Sequence, residues 1–158
     1  MFKKVLIANR GEIALRVVRA CRELGIRSVV VHSTRDRDSA SVRLADESVQ
    51  IGPPPAKKSY LNPAAVIEAA IHTGADAIHP GYGFLAEDPD FAEACDAEGI
   101  VFVGPPVAAM KRLGDKQSAR NLVAQAGLPL LPGSLAELDA DQALALAEHI
   151  GFPVIVKA

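Results

Sequence analysis

Short apolar runs and longer amphipathic stretches alternate along the first hundred residues. Val5–Ala8 is an apolar run short enough to be a buried strand. From residue 12 to 24 apolar side chains fall at Ile13, Val17, Cys21 and Leu24, the spacing of a helical stripe, and Gly25 is a natural C-terminal stop. Ser28–His32 is a second, valine-rich strand. Ser39–Ala45 predicts a short helix, and Glu47–Ile51 a third strand ended by Gly52-Pro53-Pro54-Pro55. Asn62-Pro63 is a helix start, with Asn as cap and Pro at the first helical position, for a helix through Ile67 and Ile71 to Gly74. Ala77–His79 follows as a fourth strand. Asp88-Pro89 repeats the start signal for a helix over Phe91–Glu98, and Ile100–Val103 is a fifth strand.

Strands apolar on both faces and separated by helices predict a parallel sheet covered on both sides, an α/β fold with a Rossmann-like open sheet. The pattern changes after Gly104-Pro105-Pro106. Helices are predicted at about 107–112, at 116–126 with Asp115 as cap, and over Asp141–Ile150, followed by a strand from Pro153. This divides the chain into a domain over 1–110 and a linker with the first elements of a second domain over 111–158.

Composition narrows the function. A net charge of -2, few aromatics and no Trp argue against nucleic acid as the partner. No run approaches the length of a membrane span, and residues 1–8 are better used as a strand than as a secretory leader. The two cysteines, Cys21 and Cys95, fall inside predicted helices with no metal-type spacing. They imply buried thiols, no disulfide framework and a cytoplasmic location. No metal ligand set is predicted.

Candidate chemistry lies mainly in the loops. Asn9-Arg10-Gly11-Glu12-Ile13-Ala14 departs from a dinucleotide fingerprint by placing Asn where the first Gly belongs. The second strand ends in His32-Ser33-Thr34 rather than in an acid, with Asp36 in a charged loop, and Glu12 would repel a phosphate at the helix start. Gly11 and Ala14 then read as small residues that let helix and strand pack closely. Arg16, Arg19 and Glu23 share one face of the first helix, where Arg19 and Glu23 are spaced to pair. That face reads either as a solvated charged surface or as a two-fold interface. His79-Pro80-Gly81-Tyr82-Gly83-Phe84-Leu85-Ala86-Glu87-Asp88 leaves the C-terminal end of a strand, where open sheets bind ligands. Gly81 and Gly83 allow backbone shapes closed to other residues, and would hold Tyr82 toward a cleft. His79 reads either as a satisfied strand-end histidine or as a contact. Glu87 reads as an acid, an acceptor or a helix-capping charge. Lys116 is poorly placed for the dipole of the helix it begins, and Lys157 ends an apolar strand. Each offers a point charge suited to phosphate oxygens.

Together these segments resemble the biotin carboxylase family. The resemblance is carried by Ile7 to Ala14, Ala45-Asp46-Glu47, Lys58 to Asn62, Ala77 to Glu87, Met110 to Lys116 and Pro153 to Lys157, in order and across the whole chain. It implies an enzyme that uses ATP, bicarbonate and Mg²⁺ to carboxylate biotin on a carrier protein, through carboxyphosphate. Residues 1–110 resemble the pre-ATP-grasp domain, and 111–158 a helical linker and the start of an ATP-grasp domain. By resemblance, Lys116 and Lys157 are ATP-binding, and the loop with His79, Gly81, Tyr82, Gly83 and Glu87 faces the biotin side. Arg16, Arg19 and Glu23 belong to a homodimer interface. The implied partners are the biotin carboxyl carrier protein or domain and a carboxyltransferase.

The family's Gly-rich lid, Mg²⁺-binding glutamates and bicarbonate-binding residues follow the matched region. The chain is therefore expected to be the front of a longer enzyme, with no catalytic residue of its own, no tightly bound cofactor and no activity alone. The competing expectations are a non-catalytic assembly or dimerisation module of a split carboxylase, and a dinucleotide-binding domain.

Overall fold

The computed structural model describes residues 1–114, 116–134 and 136–156, and of residues 116 and 117 the backbone only. Five parallel strands form one sheet: β1 (Lys4–Ile7), β2 (Arg27–Ser33), β3 (Glu47–Gly52), β4 (Ala77–His79) and β5 (Val101–Phe102), in the spatial order β3-β2-β1-β4-β5. Helices α1 (Gly11–Glu23), α2 (Ala40–Leu44), α3 (Pro63–Thr73) and α4 (Pro89–Ala97) connect them. The α/β reading of the sequence is correct, and so is its parallel sheet.

The pleat explains the two cores. Val5 and Ile7 of β1 join Val30 and Ala77 against Ala14, Val17, Val18 and Cys21 of α1. Leu6 joins Val29, Val31 and Ile78 against Val66 and Ala70 of α3 and Phe91 and Cys95 of α4. The central strands are thus apolar on both faces. Each fully buried aliphatic side chain contributes about 2 kcal/mol. The edge strand β3 departs from the expected pattern: Val49 and Ile51 pack inward, while Ser48 and Gln50 are exposed. β5 spans two residues, fewer than expected, and Val101 is half exposed at the other edge.

Local signals in the sequence act as expected. The Asn62 side chain accepts from the Ala65 backbone N–H, and Asp88 accepts from those of Asp90 and Phe91. At the N-terminal edge of the sheet, carboxylates tie strands together. Asp76 accepts from the N–H groups of Lys3 and Lys4 at 2.8 and 3.0 Å, and Asp46 from the N–H and hydroxyl of Ser28 at 2.7 and 2.9 Å. Both cysteines are buried and free, and burial, first among the causes, pushes the Cys95 thiol up to about 11.

The chain divides into two compact units, Met1–Met110 and Lys111–Ala158, with α5 (Val107–Leu113) crossing the division. The second unit holds α6 (Lys116–Gln125) and α7 (Ala140–Ile150). α7 begins with a capping box: the Asp139 carboxylate accepts from the Gln142 N–H at 2.8 Å, and the Gln142 side chain accepts from the Asp139 N–H at 3.2 Å. Asp115, the expected cap of α6, lies outside the described residues.

The strand expected from Pro153 is absent over 153–156. A strand needs a neighbouring backbone, and none of the described residues of this unit is in a strand. Ile155 and Val156 are 83% and 81% exposed. Among the described residues no helix is long and apolar enough to cross a membrane.

Candidate functional site

Loops leaving the C-terminal ends of β1, β2, β3 and β4 meet above the sheet. The strand order reverses between β1 and β4, which makes a crevice where open α/β sheets take ligands. Here a side chain of the first loop bridges that crevice. Asn9, 3% exposed, donates from Nδ2 to the carbonyls of Pro80 at 2.7 Å and Tyr82 at 2.9 Å, while its Oδ1 accepts from the Arg10 N–H at 2.9 Å. Gly81 has φ +67° and lies so close that a Cβ would come within 2.8 Å of Asn9 Nδ2 and 3.0 Å of Ile13 Cγ1. The Asn that breaks the dinucleotide fingerprint therefore staples the β4 loop to β1, where a pyrophosphate would have to enter.

The next residue extends the staple. Arg10 donates from Nε and Nη2 to Asp36 at 3.0 and 2.7 Å. The Asp36 carboxylate also accepts from the hydroxyls of Ser33 at 2.9 Å and Tyr60 at 2.7 Å, and Tyr60 in turn accepts from the Ser33 N–H at 2.9 Å. Tyr60, 2% exposed, stacks on Phe84 with ring centroids 5.2 Å apart. The hydrogen bond from Arg10, with those from Tyr60 and Ser33, outweighs partial burial and holds the Asp36 carboxyl well below the usual carboxylate range. The Arg10 guanidinium is held above its own range by the same bond. Burial, reinforced by Asp36, raises the Tyr60 phenol.

A group whose pKa is depressed on folding stabilises the protein above its unfolded value, and that contribution is lost as pH falls. The stability advantage of wild type over Asp36→Asn, about 2 kcal/mol at neutral pH, is expected to persist down to the ordinary aspartate value of 3.8 and to shrink below it. Urea titrations across an acid series measure it. An advantage that does not change with acidification would contradict this account of Asp36.

The β4 loop carries the residues singled out in the sequence. His79, half-buried, accepts at Nδ1 from the Gly81 N–H at 3.0 Å, which requires a neutral ring with its proton on Nε2. Burial lowers its pKa in keeping with that state. Gly81 and Gly83 have φ of +67° and +68°, and Phe84 follows at +43°. Tyr82 is 59% exposed, and its hydroxyl donates to the Glu12 carboxylate in the first turn of α1. That bond raises the Tyr82 phenol. Tyr82 thus stands at an open depression lined by Asn9, Arg10, Glu12, Ile13, Gly83 and Phe84. Glu87 is exposed, and the helix cap is Asp88 instead.

Arg16, Arg19 and Glu23 are exposed along α1. The ion pair on that face joins Arg16 to Glu12 at 3.9 Å, while the possible pair between Arg19 and Glu23 is not formed. Lys116 begins α6 in the second unit with its side chain outside the described residues, and Lys157 lies outside them entirely. Asn9, Arg10, Asp36, Tyr60 and Phe84 were not singled out as site residues from the sequence. One signal was available: a polar residue at or just past the C-terminal end of each of two buried strands, Ser33 of β2 and Asn9 after β1. Among the described residues no group of three His, Cys, Asp or Glu side chains is placed to hold a metal ion.

Comparison with known proteins gives two family matches in chain order. The profile "Biotin carboxylase, N-terminal domain" matches residues 1–110, and "Carbamoyl-phosphate synthase L chain, ATP binding domain" matches residues 115–158. The chain is 58% identical to the biotin carboxylase of Pseudomonas aeruginosa over 160 aligned residues, which cover 100% of this chain and 36% of that protein. It is 53% identical to the mitochondrial methylcrotonoyl-CoA carboxylase subunit alpha of Oryza sativa, covering 98% of this chain and 21% of that one. Among solved structures, a Campylobacter jejuni biotin carboxylase in complex with β,γ-ATP matches with a TM-score of 0.90 at 45% identity, over 97% of this chain and 34% of its own. A dimer of the biotin carboxylase domain of Hydrogenobacter thermophilus 2-oxoglutarate carboxylase, in complex with MgADP, ADP and bicarbonate, matches with a TM-score of 0.89 at 46% identity. That match covers 97% of this chain and 34% of the other. The chain therefore spans about a third or less of these relatives.

Proposed function

The chain belongs to the biotin carboxylase N-terminal domain family, and from that premise we propose that it is the front part of an enzyme that carboxylates biotin on a carrier protein with ATP, bicarbonate and Mg²⁺. The observation that carries this reading is 58% identity to a biotin carboxylase along the whole chain, with two family matches in the same order. Residues 1–110 are then the domain preceding the ATP-grasp unit, and residues 111–158 the linker and its beginning.

In this reading Lys116 and Lys157 bind the phosphates of ATP and lower the repulsion that an incoming bicarbonate anion meets. Catalysis of phosphoryl transfer is mostly positioning and charge neutralisation, and two ammonium groups suit that task. The β4 loop, with His79, Gly81, Tyr82, Gly83 and Glu87, faces the biotin side. The depression beside Tyr82 and the anchoring of the loop by Asn9 support that placement. The exposed Arg16, Arg19 and Glu23 form a two-fold interface. The carrier protein and a carboxyltransferase are the partners, and two buried free thiols suit a cytoplasmic location.

The test is phosphate release from ATP by the full-length gene product. Release is expected to need bicarbonate and to rise with biotin. Lys116→Ala and Lys157→Ala are each expected to raise the KM for ATP about tenfold, the loss of one charge-assisted contact. A KM unchanged in both variants would remove the lysines from the nucleotide site.

A further inference from the structure

Tyr82 is held from two sides. Asn9 grips the backbone of its loop through the carbonyls of Pro80 and Tyr82. On the other side Phe84, two residues on and at φ +43°, lies flat on Tyr60 with an interplanar angle of 16°. Tyr60 can serve as a floor because its own tip is fixed. Its hydroxyl donates to Asp36 and accepts from the Ser33 backbone, and Asp36 is clamped by Arg10, the neighbour of Asn9. Three loops thus close a ring of contacts around the fourth, and Tyr60 is its one buried aromatic member that reaches both the polar hub and the Tyr82 loop.

We propose that Tyr60, fixed by Asp36, is a positioning residue that sets where Tyr82 and its loop meet the substrate, and so tunes affinity for the biotin moiety without touching it. The inference rests on the reading of the β4 loop as the biotin side of the site. Tyr60→Phe keeps the stacked ring but frees it from Asp36 and leaves the Ser33 N–H without its acceptor. Asp36→Asn weakens the charge-assisted hold on the Tyr60 hydroxyl and leaves the stack on Phe84 intact.

The experiment is steady-state phosphate release by the full-length gene product, with free biotin and ATP varied separately. Both variants are expected to raise the KM for biotin about fivefold, the effect of one lost contact, with the KM for ATP and kcat at saturating biotin nearly unchanged. A purely structural role would instead lower the melting temperature and kcat while both KM values stayed put, and that result overturns the inference. Wild type that responds to biotin while both variants keep its KM overturns the inference alone. Wild type that shows no response to biotin overturns the functional reading, and the inference with it.

Discussion

Replacing Gly52 with alanine is expected to destabilise the first unit by about 3 kcal/mol or more and to lower its melting temperature by about 10 °C. Gly52 ends β3 with φ +147°, a conformation that side-chain-bearing residues rarely adopt, and its missing side chain is where the chain returns. A Cβ there would lie 2.1 Å from the Lys58 carbonyl oxygen and 3.5 Å from Ser59 Cα. That carbonyl belongs to a tight loop, closed by hydrogen bonds from Lys58 to Pro55 and from Leu61 to Ala56, so it cannot simply step aside. The displacement passes to Tyr60, two residues beyond Lys58, and through it to Phe84. Gly25 is the comparison, at φ +68° with nothing within 4 Å of an added Cβ. Gly25→Ala is expected to cost only about 1 kcal/mol, from backbone conformation alone. Thermal melts of the two variants separate the clash from the conformational term. Equal costs would contradict the assigned clash.

Asn9→Asp is nearly isosteric and is expected to cost about 3 kcal/mol at neutral pH. The Asn9 amide nitrogen serves two carbonyls, one of the bonds fully buried. A carboxylate would set a buried negative oxygen against both carbonyls, with only the Arg10 N–H still satisfied. Burial and the facing carbonyls favour its protonated form, so its pKa rises on folding. The destabilisation relative to wild type is present at neutral pH and shrinks as acid protonates the carboxyl, which can then donate one bond. Urea titrations of both proteins from neutral pH into the acid range measure the gap. A gap that widens on acidification would contradict the staple assigned to Asn9. Under the proposed function the variant also frees the Tyr82 loop, so biotin-dependent turnover of the full-length protein is expected to fall with stability.

The sheet was legible because its information is local. Valine-rich runs, the Asn62-Pro63 and Asp88-Pro89 starts, and glycines after helices each act within a few residues of themselves. The strand expected from Pro153 was not legible in the same way: apolar residues make a strand only when another backbone pairs with them. The loop geometry of the candidate site was half legible. The glycines around Tyr82 marked the loop, because positive φ leaves a mark in the sequence. The Asn9–Asp36–Tyr60–Phe84 network left none, since its members are scattered over some 75 positions and meet only because parallel topology brings the C-terminal ends of four strands together. In the sequence Asn9 reads as a damaged glycine motif; in the fold its amide holds the facing loop.

The measurement that tests the functional account most directly is the fixation of labelled bicarbonate into free biotin by the gene product purified from its own cells. The account predicts acid-labile label on biotin that appears only when ATP is supplied. Folded protein that binds ATP yet transfers no label to biotin would contradict it.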